Sequence, residues 1–195
     1  MNICVFGASS DRLDKQYYHE AEAVGRLTAE YGHTLVFGGG KDGLMAACAA
    51  GALKAGGKVV GIAPAMFEGP GFLLEDCSEM MLTESMNERK EKMVEISDAF
   101  IALPGGVGTM DELFEVLTLK QLGIVNSPLV LLNTDCFYTP LFDYLRQMAD
   151  GGFMSKSCLR LVRLCAGPEE AVAAALRPET VLGSLERLEN IDAKI

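Results

Sequence analysis

The chain has 195 residues, of which 49% are apolar and 23% are charged, which is typical of one soluble globular domain with a sizeable core. Its formal net charge of −10 opposes nonspecific binding to DNA or RNA, because phosphate backbones are bound by surfaces rich in Lys and Arg. We therefore expect no nucleic-acid partner, although a locally positive pocket on an acidic protein can still bind a small phosphorylated ligand.

Short apolar segments alternate with longer amphipathic segments along the chain. Predicted strands cover residues 2–7, 33–40, 58–64, 79–83, 99–103, 128–133 and 160–165. Predicted helices cover residues 15–32, 43–56, 109–122, 139–149 and 168–176, and a further helix begins at Met86. This alternation indicates an α/β fold, with a mostly parallel sheet covered by helices on both faces. We predict a single doubly wound, Rossmann-like domain over residues 1–181 and a charged tail over residues 182–195.

The apolar runs and the cysteines bear on the location of the protein. No apolar run approaches the roughly 18 residues that cross a bilayer, and the first ten residues, MNICVFGASS, lack the basic region of a signal peptide. The six cysteines are scattered without a Cys-x-x-Cys pair, and the chain has only two histidines, which argues against a zinc site or a disulfide framework. We expect a cytoplasmic protein that contacts no membrane and binds no metal.

Segments rich in glycine follow three of the predicted strands, namely GASS (7–10), GGGKDG (38–43) and PGGVGT (104–109). The carboxyl ends of parallel strands share one edge of a sheet, and backbone N–H groups at helix starts favour anions. Each segment alone is equally well read as a simple turn, but three at one edge predict a phosphate site. They match neither a dinucleotide fingerprint nor a Walker motif. In the first two segments, the predicted contacts are Gly7, Ser9, Ser10, Gly38, Gly39 and Gly40.

Two Ser/Thr-x-x-Glu patterns raise the same question about function. Thr109 and Glu112 match a capping box, so Glu112 is expected to satisfy a backbone N–H group. It is also expected at the mouth of the predicted pocket, and the two roles do not exclude each other. Ser85 and Glu88 match a second capping box, which predicts a helix start there. On that helix, Arg89 falls on a stripe with methionines, where it forms an ordinary salt bridge, extends towards solvent or binds an anion.

The segments MNERK (86–90) and PGGVGTMDE (104–112) together resemble the paired signature of the LOG family, Met-x-x-Arg-Lys followed by Pro-Gly-Gly-x-Gly-Thr-x-x-Glu. The likeness covers most of residues 2–150 and includes CVFGASS, LVFGGGKDGLM and LTLKQLG in the family's order. LOG proteins are cytokinin-activating phosphoribohydrolases, although the family also carries the label "lysine decarboxylase-like". No Lys of this chain lies in a recognisable pyridoxal-phosphate context.

The resemblance implies a reaction and an assembly. The reaction is hydrolysis of the N-glycosidic bond of a nucleoside 5′-monophosphate, such as a cytokinin riboside 5′-monophosphate or AMP, to a free base and ribose 5-phosphate. No metal or organic cofactor is implied. The implied assembly is a homodimer with sites near the subunit interface, for which the helix at 43–56 and the helix after Thr109 are candidate contact surfaces.

The resemblance also assigns roles to individual residues. Arg89 and Glu112 match the catalytic pair of the family. The other matching positions, which are expected to contact the substrate or its phosphate, are Met86, Lys90, Gly105, Gly106, Gly108, Thr109 and Thr118. A carboxylate at Glu112 could stabilise oxocarbenium character on the ribose and position or deprotonate water, while Arg89 could hold the ribose or phosphate and keep Glu112 ionised.

Some alternatives stay open at this stage. Residues 65–80 depart from the family pattern, and whether Glu68 or Glu75 faces the substrate is left undecided. Because fold alone does not determine function, a non-catalytic carrier of a nucleotide or of molybdenum cofactor is the alternative to an enzyme. A dehydrogenase is disfavoured by the missing dinucleotide fingerprint.

Overall fold

A computed structural model describes residues 1–69 and 71–178 of the chain. The predicted tail and the end of the predicted domain lie outside the described residues. The strands are β1 (Asn2–Phe6), β2 (Thr34–Phe37), β3 (Val59–Pro64), β4 (Glu79–Thr83), β5 (Ala99–Ala102), β6 (Leu129–Leu132) and β7 (Arg163–Cys165). The helices are α1 (Lys15–Glu30), α2 (Gly43–Lys54), α3 (Met86–Glu95), α4 (Val107–Gln121), α5 (Thr139–Asp150) and α6 (Pro168–Ala175).

All the strands described form one parallel sheet in the order β4-β3-β2-β1-β5-β6-β7. The strand order reverses between β1 and β5, because the chain adds β2, β3 and β4 on one side of β1 before it crosses to the other side. Ligands of doubly wound sheets bind at this switch point, beyond the carboxyl ends of the strands. The predicted α/β, doubly wound fold is confirmed.

Alternate residues of the buried strands form two separate hydrophobic cores. On β1, Ile3 and Val5 pack with α1, α2 and α6, whereas Cys4 and Phe6 pack with α3, α4 and α5. This alternation follows from the two-residue period of a strand, and a strand buried on both faces is therefore apolar throughout. The helices thus cover both faces of the sheet, as predicted.

Two glycines allow α1 and α2 to pack closely. A side chain at Gly25 would collide with the Cys48 carbonyl, and one at Gly51 would collide with the Glu22 carbonyl. At the start of α2, the Leu44 N–H donates to the Ala8 carbonyl at 2.8 Å, and a side chain at Gly43 would collide with the backbone of Ala8 and Ser9. The first two glycine-rich segments are therefore held together at the sheet edge.

Several predicted boundaries are wrong by two or three residues, including the end of the strand predicted over residues 33–40, which lies at Phe37. Two further differences concern β7 and α4. The strand predicted over residues 160–165 is shorter, because Lys156–Leu161 forms a 3₁₀ helix and pairing with β6 begins at Arg163. The helix predicted over residues 109–122 begins earlier, at Val107, directly after Gly106. The second difference changes the environment of Glu112, as described below.

Candidate active site

A cavity of about 580 Å³ opens at the carboxyl edge of the sheet, within the size range of small-molecule sites. It lies beside the switch point between β1 and β5, where the fold predicts a ligand. All three glycine-rich segments contribute to its wall, as do α3 and the start of α4. The predicted residues that line it are Gly7, Ser9, Gly38, Gly40, Met86, Arg89, Gly106, Gly108, Thr109 and Glu112.

Arg89 reaches the cavity from the first turns of α3. The Ser85 hydroxyl caps this helix by accepting the N–H of Glu88 at 3.2 Å, and the Glu88 carboxylate accepts the N–H of Glu84 at 2.7 Å. The predicted helix start is therefore confirmed. In a capping box the Glu88 carboxylate would accept the N–H of Ser85, whereas here it accepts the N–H of the preceding residue, Glu84. Arg89 is 6% exposed, and its Nε atom donates to the Ile62 carbonyl on β3 at 3.1 Å. This bond fixes the guanidinium over the strand ends.

Glu112 pairs with Arg89 instead of capping its own helix. Gly106 is the N-cap of α4, so Thr109 lies inside the first turn and the capping-box interpretation of Thr109 and Glu112 is wrong. The Glu112 Oε1 atom accepts the Arg89 Nη1–H at 2.8 Å, and Glu112 is only 8% exposed. The arrangement is a buried, charge-assisted pair at the wall of a cavity.

Glycines provide the space around this pair. A side chain at Gly38 would collide with the Arg89 Nη2 atom, so the guanidinium occupies the volume of a missing side chain. A side chain at Gly105 would collide with the Thr109 hydroxyl, so this glycine allows the turn into α4. At Gly106 and Gly108, by contrast, a Cβ atom would meet no heavy atom within 4 Å. The start of α4 is therefore open towards the cavity.

Burial and charge act in opposite directions on Glu112. Burial raises the pKa of the Glu112 carboxyl above its ordinary value, and the positive charge and hydrogen bond of Arg89 lower it by less. The net direction is upward. Such perturbed carboxyls in cavities are typical of functional sites. Arg89 is therefore the group that opposes the upward shift of the Glu112 pKa.

Several predicted contacts lie away from this cavity. Lys90 forms ion pairs with Asp111 at 3.0 Å and Glu115 at 2.9 Å, and it lies with Thr118 along a separate shallow depression on the outer face of α4. The other predicted residues that do not line the cavity are Ser10, Gly39 and Gly105, and neither Glu68 nor Glu75 lines it.

Sequence reasoning missed part of the cavity wall. Lys41, in the GGGKDG segment, and Met45, one turn into α2, both line the cavity. So do Phe67 and Phe72, which lie in the irregular segment after β3 where no periodic pattern indicated a role. Over the described ranges 1–69 and 71–178, no group of three or more His, Cys, Asp or Glu side chains could hold a metal ion. Over the same ranges, no helix has both the length and the apolar character to cross a membrane.

Comparison with known proteins places this site in a family. Residues 45–175 match the family model described as "Possible lysine decarboxylase". A cytokinin riboside 5′-monophosphate phosphoribohydrolase of Rhodococcoides fascians is 40% identical over 178 residues, which cover 91% of this chain and 90% of the relative. The chain belongs to the LOG family. Another LOG protein, the cytokinin riboside 5′-monophosphate phosphoribohydrolase LOG2 of Arabidopsis thaliana, is 38% identical over 82% of this chain and 75% of its own length.

Proteins that are named as molybdenum cofactor carriers have the same fold as this LOG protein. The molybdenum cofactor carrier protein of Chlamydomonas reinhardtii superposes with a TM-score of 0.69 over 89% of this chain and 94% of the carrier, at 24% identity. A likeness at this identity shows the fold alone. The sequence comparisons, rather than the fold, therefore determine the family.

Proposed function

We propose that this LOG protein hydrolyses the N-glycosidic bond of nucleoside 5′-monophosphates, including cytokinin riboside 5′-monophosphates and AMP. The products are the free base and ribose 5-phosphate. The observation that carries the proposal is the buried Arg89–Glu112 pair, which faces the same cavity as the open start of α4. The relatives at 38–40% identity that are named phosphoribohydrolases support the same reaction.

The start of α4 is suited to bind the 5′-phosphate. The first N–H groups of a helix have no partner within the helix, and the helix dipole favours negative charge there. Because Gly106 and Gly108 leave the adjacent space empty, phosphate oxygens can approach these N–H groups closely. The phosphate then anchors the nucleotide, so that its binding energy positions the ribose at the reacting centre.

The Arg89–Glu112 pair is suited to the chemical step. The bond between ribose C1′ and the base nitrogen breaks, and its electron pair leaves with the base while positive charge develops on the ribose. The Glu112 carboxylate stabilises that charge and receives a proton from the attacking water, whose oxygen bonds to C1′. The leaving base takes up one proton and Glu112 releases the proton that it received from water, so that one water molecule is consumed and the carboxylate is restored. Arg89 holds the carboxylate in place through the 2.8 Å hydrogen bond.

The pH dependence of the reaction follows from the pKa of Glu112. Burial raises this pKa above the ordinary glutamate value of 4.5, and only the ionised carboxylate supports the step. We therefore expect kcat/KM to fall on the acidic side at a pH above 4.5. Arg89→Gln removes the charge that lowers the pKa, so the residual activity should be lost at a still higher pH. An acidic limb that stays in place in Arg89→Gln would contradict this assignment.

The raised pKa also sets the sign of a stability effect. A group whose pKa is higher in the folded state favours folding when it is protonated, and this contribution is lost as the pH rises through the folded-state pKa. Ionisation of Glu112 therefore costs folding free energy, which the Arg89 charge partly offsets. The active form of the site is the less stable one.

The phosphate requirement tests the proposed function directly. Adenosine and AMP share base and ribose, so a site anchored at α4 should distinguish them by the phosphate alone. We expect kcat/KM for adenine release to be about 100-fold or more higher for AMP than for adenosine, given the strength of hydrogen bonds to charged groups. Base release should be measured by chromatography for both substrates. Equal rates for AMP and adenosine would contradict a phosphate site in the cavity.

We also propose that the protein is a cytoplasmic homodimer that associates through the outer face of α4. This face exposes Val107 and Phe114 around the shallow depression, whereas most of α2 is buried within the chain and offers little surface. The six cysteines form no disulfide, as is usual in a reducing compartment. A strictly monomeric mass by sedimentation at micromolar concentration would contradict the dimer.

A further inference from the structure

Two aromatic rings form an exposed apolar wall of the cavity. Phe67 is 38% exposed and Phe72 is 62% exposed, although large apolar side chains are usually buried. Their ring centroids lie 6.3 Å apart at an interplanar angle of 43°. Both rings line the same cavity as Arg89 and Glu112. The two rings thus form an exposed aromatic surface in the cavity that also holds the reactive pair.

The position of Phe72 is fixed by the second glycine-rich segment. Its carbonyl accepts the N–H of Lys41 at 3.1 Å, and the next residue but one, Leu74, donates its N–H to the Gly39 carbonyl at 2.9 Å. Between these bonds, Gly40 and Leu73 form an antiparallel bridge. The chain is therefore attached to the second glycine-rich segment at Phe72 itself and at the two residues that follow it.

The sheet order places this wall on the side of the cavity that lies away from the start of α4. The start of α4 follows β5, whereas Phe67 follows β3, and the strands between them run β5-β1-β2-β3. Three strand spacings of about 4.8 Å separate the two ends by about 14 Å. Arg89 lies against Gly38 at the end of β2 and the Ile62 carbonyl on β3, and Phe72 is hydrogen-bonded to the segment that follows β2. The cavity therefore has the open start of α4 on its β5 side and the aromatic rings on its β2 and β3 side.

A nucleoside 5′-monophosphate likewise has the phosphate at one end and the base at the other end, with the ribose between them. We infer that Phe67 and Phe72 bind the leaving base and make this site selective for large planar bases, an inference that rests on the proposed function. A base inserted between the two phenylalanine rings would contact each ring at about 3.5 Å, which requires parallel rings about 7 Å apart. The observed rings are closer and tilted, so the base stacks on the outer face of Phe72 while Phe67 supports it.

The test separates base binding from phosphate binding. The affinities of AMP and ribose 5-phosphate are measured by calorimetry in a Glu112→Gln background, where turnover of AMP is expected to be about 10³-fold slower and ribose 5-phosphate is a product. Phe72→Ala should weaken AMP binding about tenfold, as expected for the loss of one base–aromatic stack, and leave ribose 5-phosphate binding unchanged. Phe72→Tyr should restore AMP binding. Met66→Ala is the matched control, because Met66 is 78% exposed in the same segment and does not line the cavity.

The outcomes distinguish this inference from the proposed function. Equal weakening of AMP and ribose 5-phosphate, or no weakening of either, would overturn the aromatic base site whatever the activity of the wild type. Absence of base release by the wild type would overturn the proposed function, while a selective loss of AMP binding in Phe72→Ala would still support the aromatic site. With activity present, Phe72→Ala should raise KM for AMP about tenfold and leave kcat within about twofold, as for an interaction made equally in ground state and transition state.

Discussion

Glu112→Gln is expected to lower kcat for base release by about 10³-fold without unfolding the protein. The amide is nearly the same size as the carboxylate, so packing in the cavity wall is preserved. Its oxygen can still accept the Arg89 N–H, which keeps the buried guanidinium hydrogen-bonded. The substitution removes the negative charge that stabilises the positive charge on the ribose, and it removes the group that accepts the proton of water. In other enzymes, losses of this kind reduce the rate by about this factor.

The measurement compares kcat and the thermal unfolding midpoint of Glu112→Gln with those of the wild type. Glu91→Gln is a matched control, because it removes one carboxylate from an exposed position on α3 outside the cavity. The control should keep wild-type kcat. If Glu112→Gln retained more than about a tenth of wild-type kcat, the assigned role of the carboxylate would be wrong.

Gly38→Ala is expected to reduce kcat/KM by about 10²-fold, although Gly38 has no chemical group to contribute. The new methyl group would collide with the Arg89 Nη2 atom, so the guanidinium must move. A displacement of about 1 Å in a catalytic constellation costs about this factor. The same crowding should lower the free energy of unfolding by about 1–3 kcal/mol, the usual effect of overpacking.

The controls separate displacement of Arg89 from a general effect of losing glycine. At Gly69, which lies outside the cavity, a Cβ atom would meet no heavy atom within 4 Å, and Gly69→Ala should leave both activity and stability unchanged. The acidic limb of kcat/KM in Gly38→Ala should also move to higher pH, because a displaced Arg89 lowers the pKa of Glu112 less. Wild-type activity in Gly38→Ala would show that the position of the guanidinium is not critical.

The features that could be predicted from the sequence are local ones. Strand and helix alternation depends on apolar periodicity within short windows, and it identified every strand of the sheet in the described residues. The helix start at Ser85 was also predicted correctly, because a capping box involves groups only three residues apart. The meeting of three glycine-rich segments at one edge followed from parallel strands, which put their carboxyl ends together.

The features that could not be predicted depend on contacts between distant parts of the chain. Thr109 and Glu112 fit a capping box locally, but the helix begins at Val107 and Arg89, 23 residues away, takes the carboxylate instead. The separation of Lys90 from the cavity follows from its ion pairs with α4. Phe67 ends the short 3₁₀ helix Ala65–Phe67 after β3, and the position of Phe72 is set by long-range backbone hydrogen bonds rather than by a repeating pattern.

The most direct test of a hydrolase site in this cavity is product analysis after AMP is incubated with the purified protein, with Glu112→Gln as the parallel sample. We expect adenine and ribose 5-phosphate in equal amounts from the wild type, and about 10³-fold less of both from Glu112→Gln. Binding of AMP by the wild type without release of either product would contradict the proposed function and favour a nucleotide carrier.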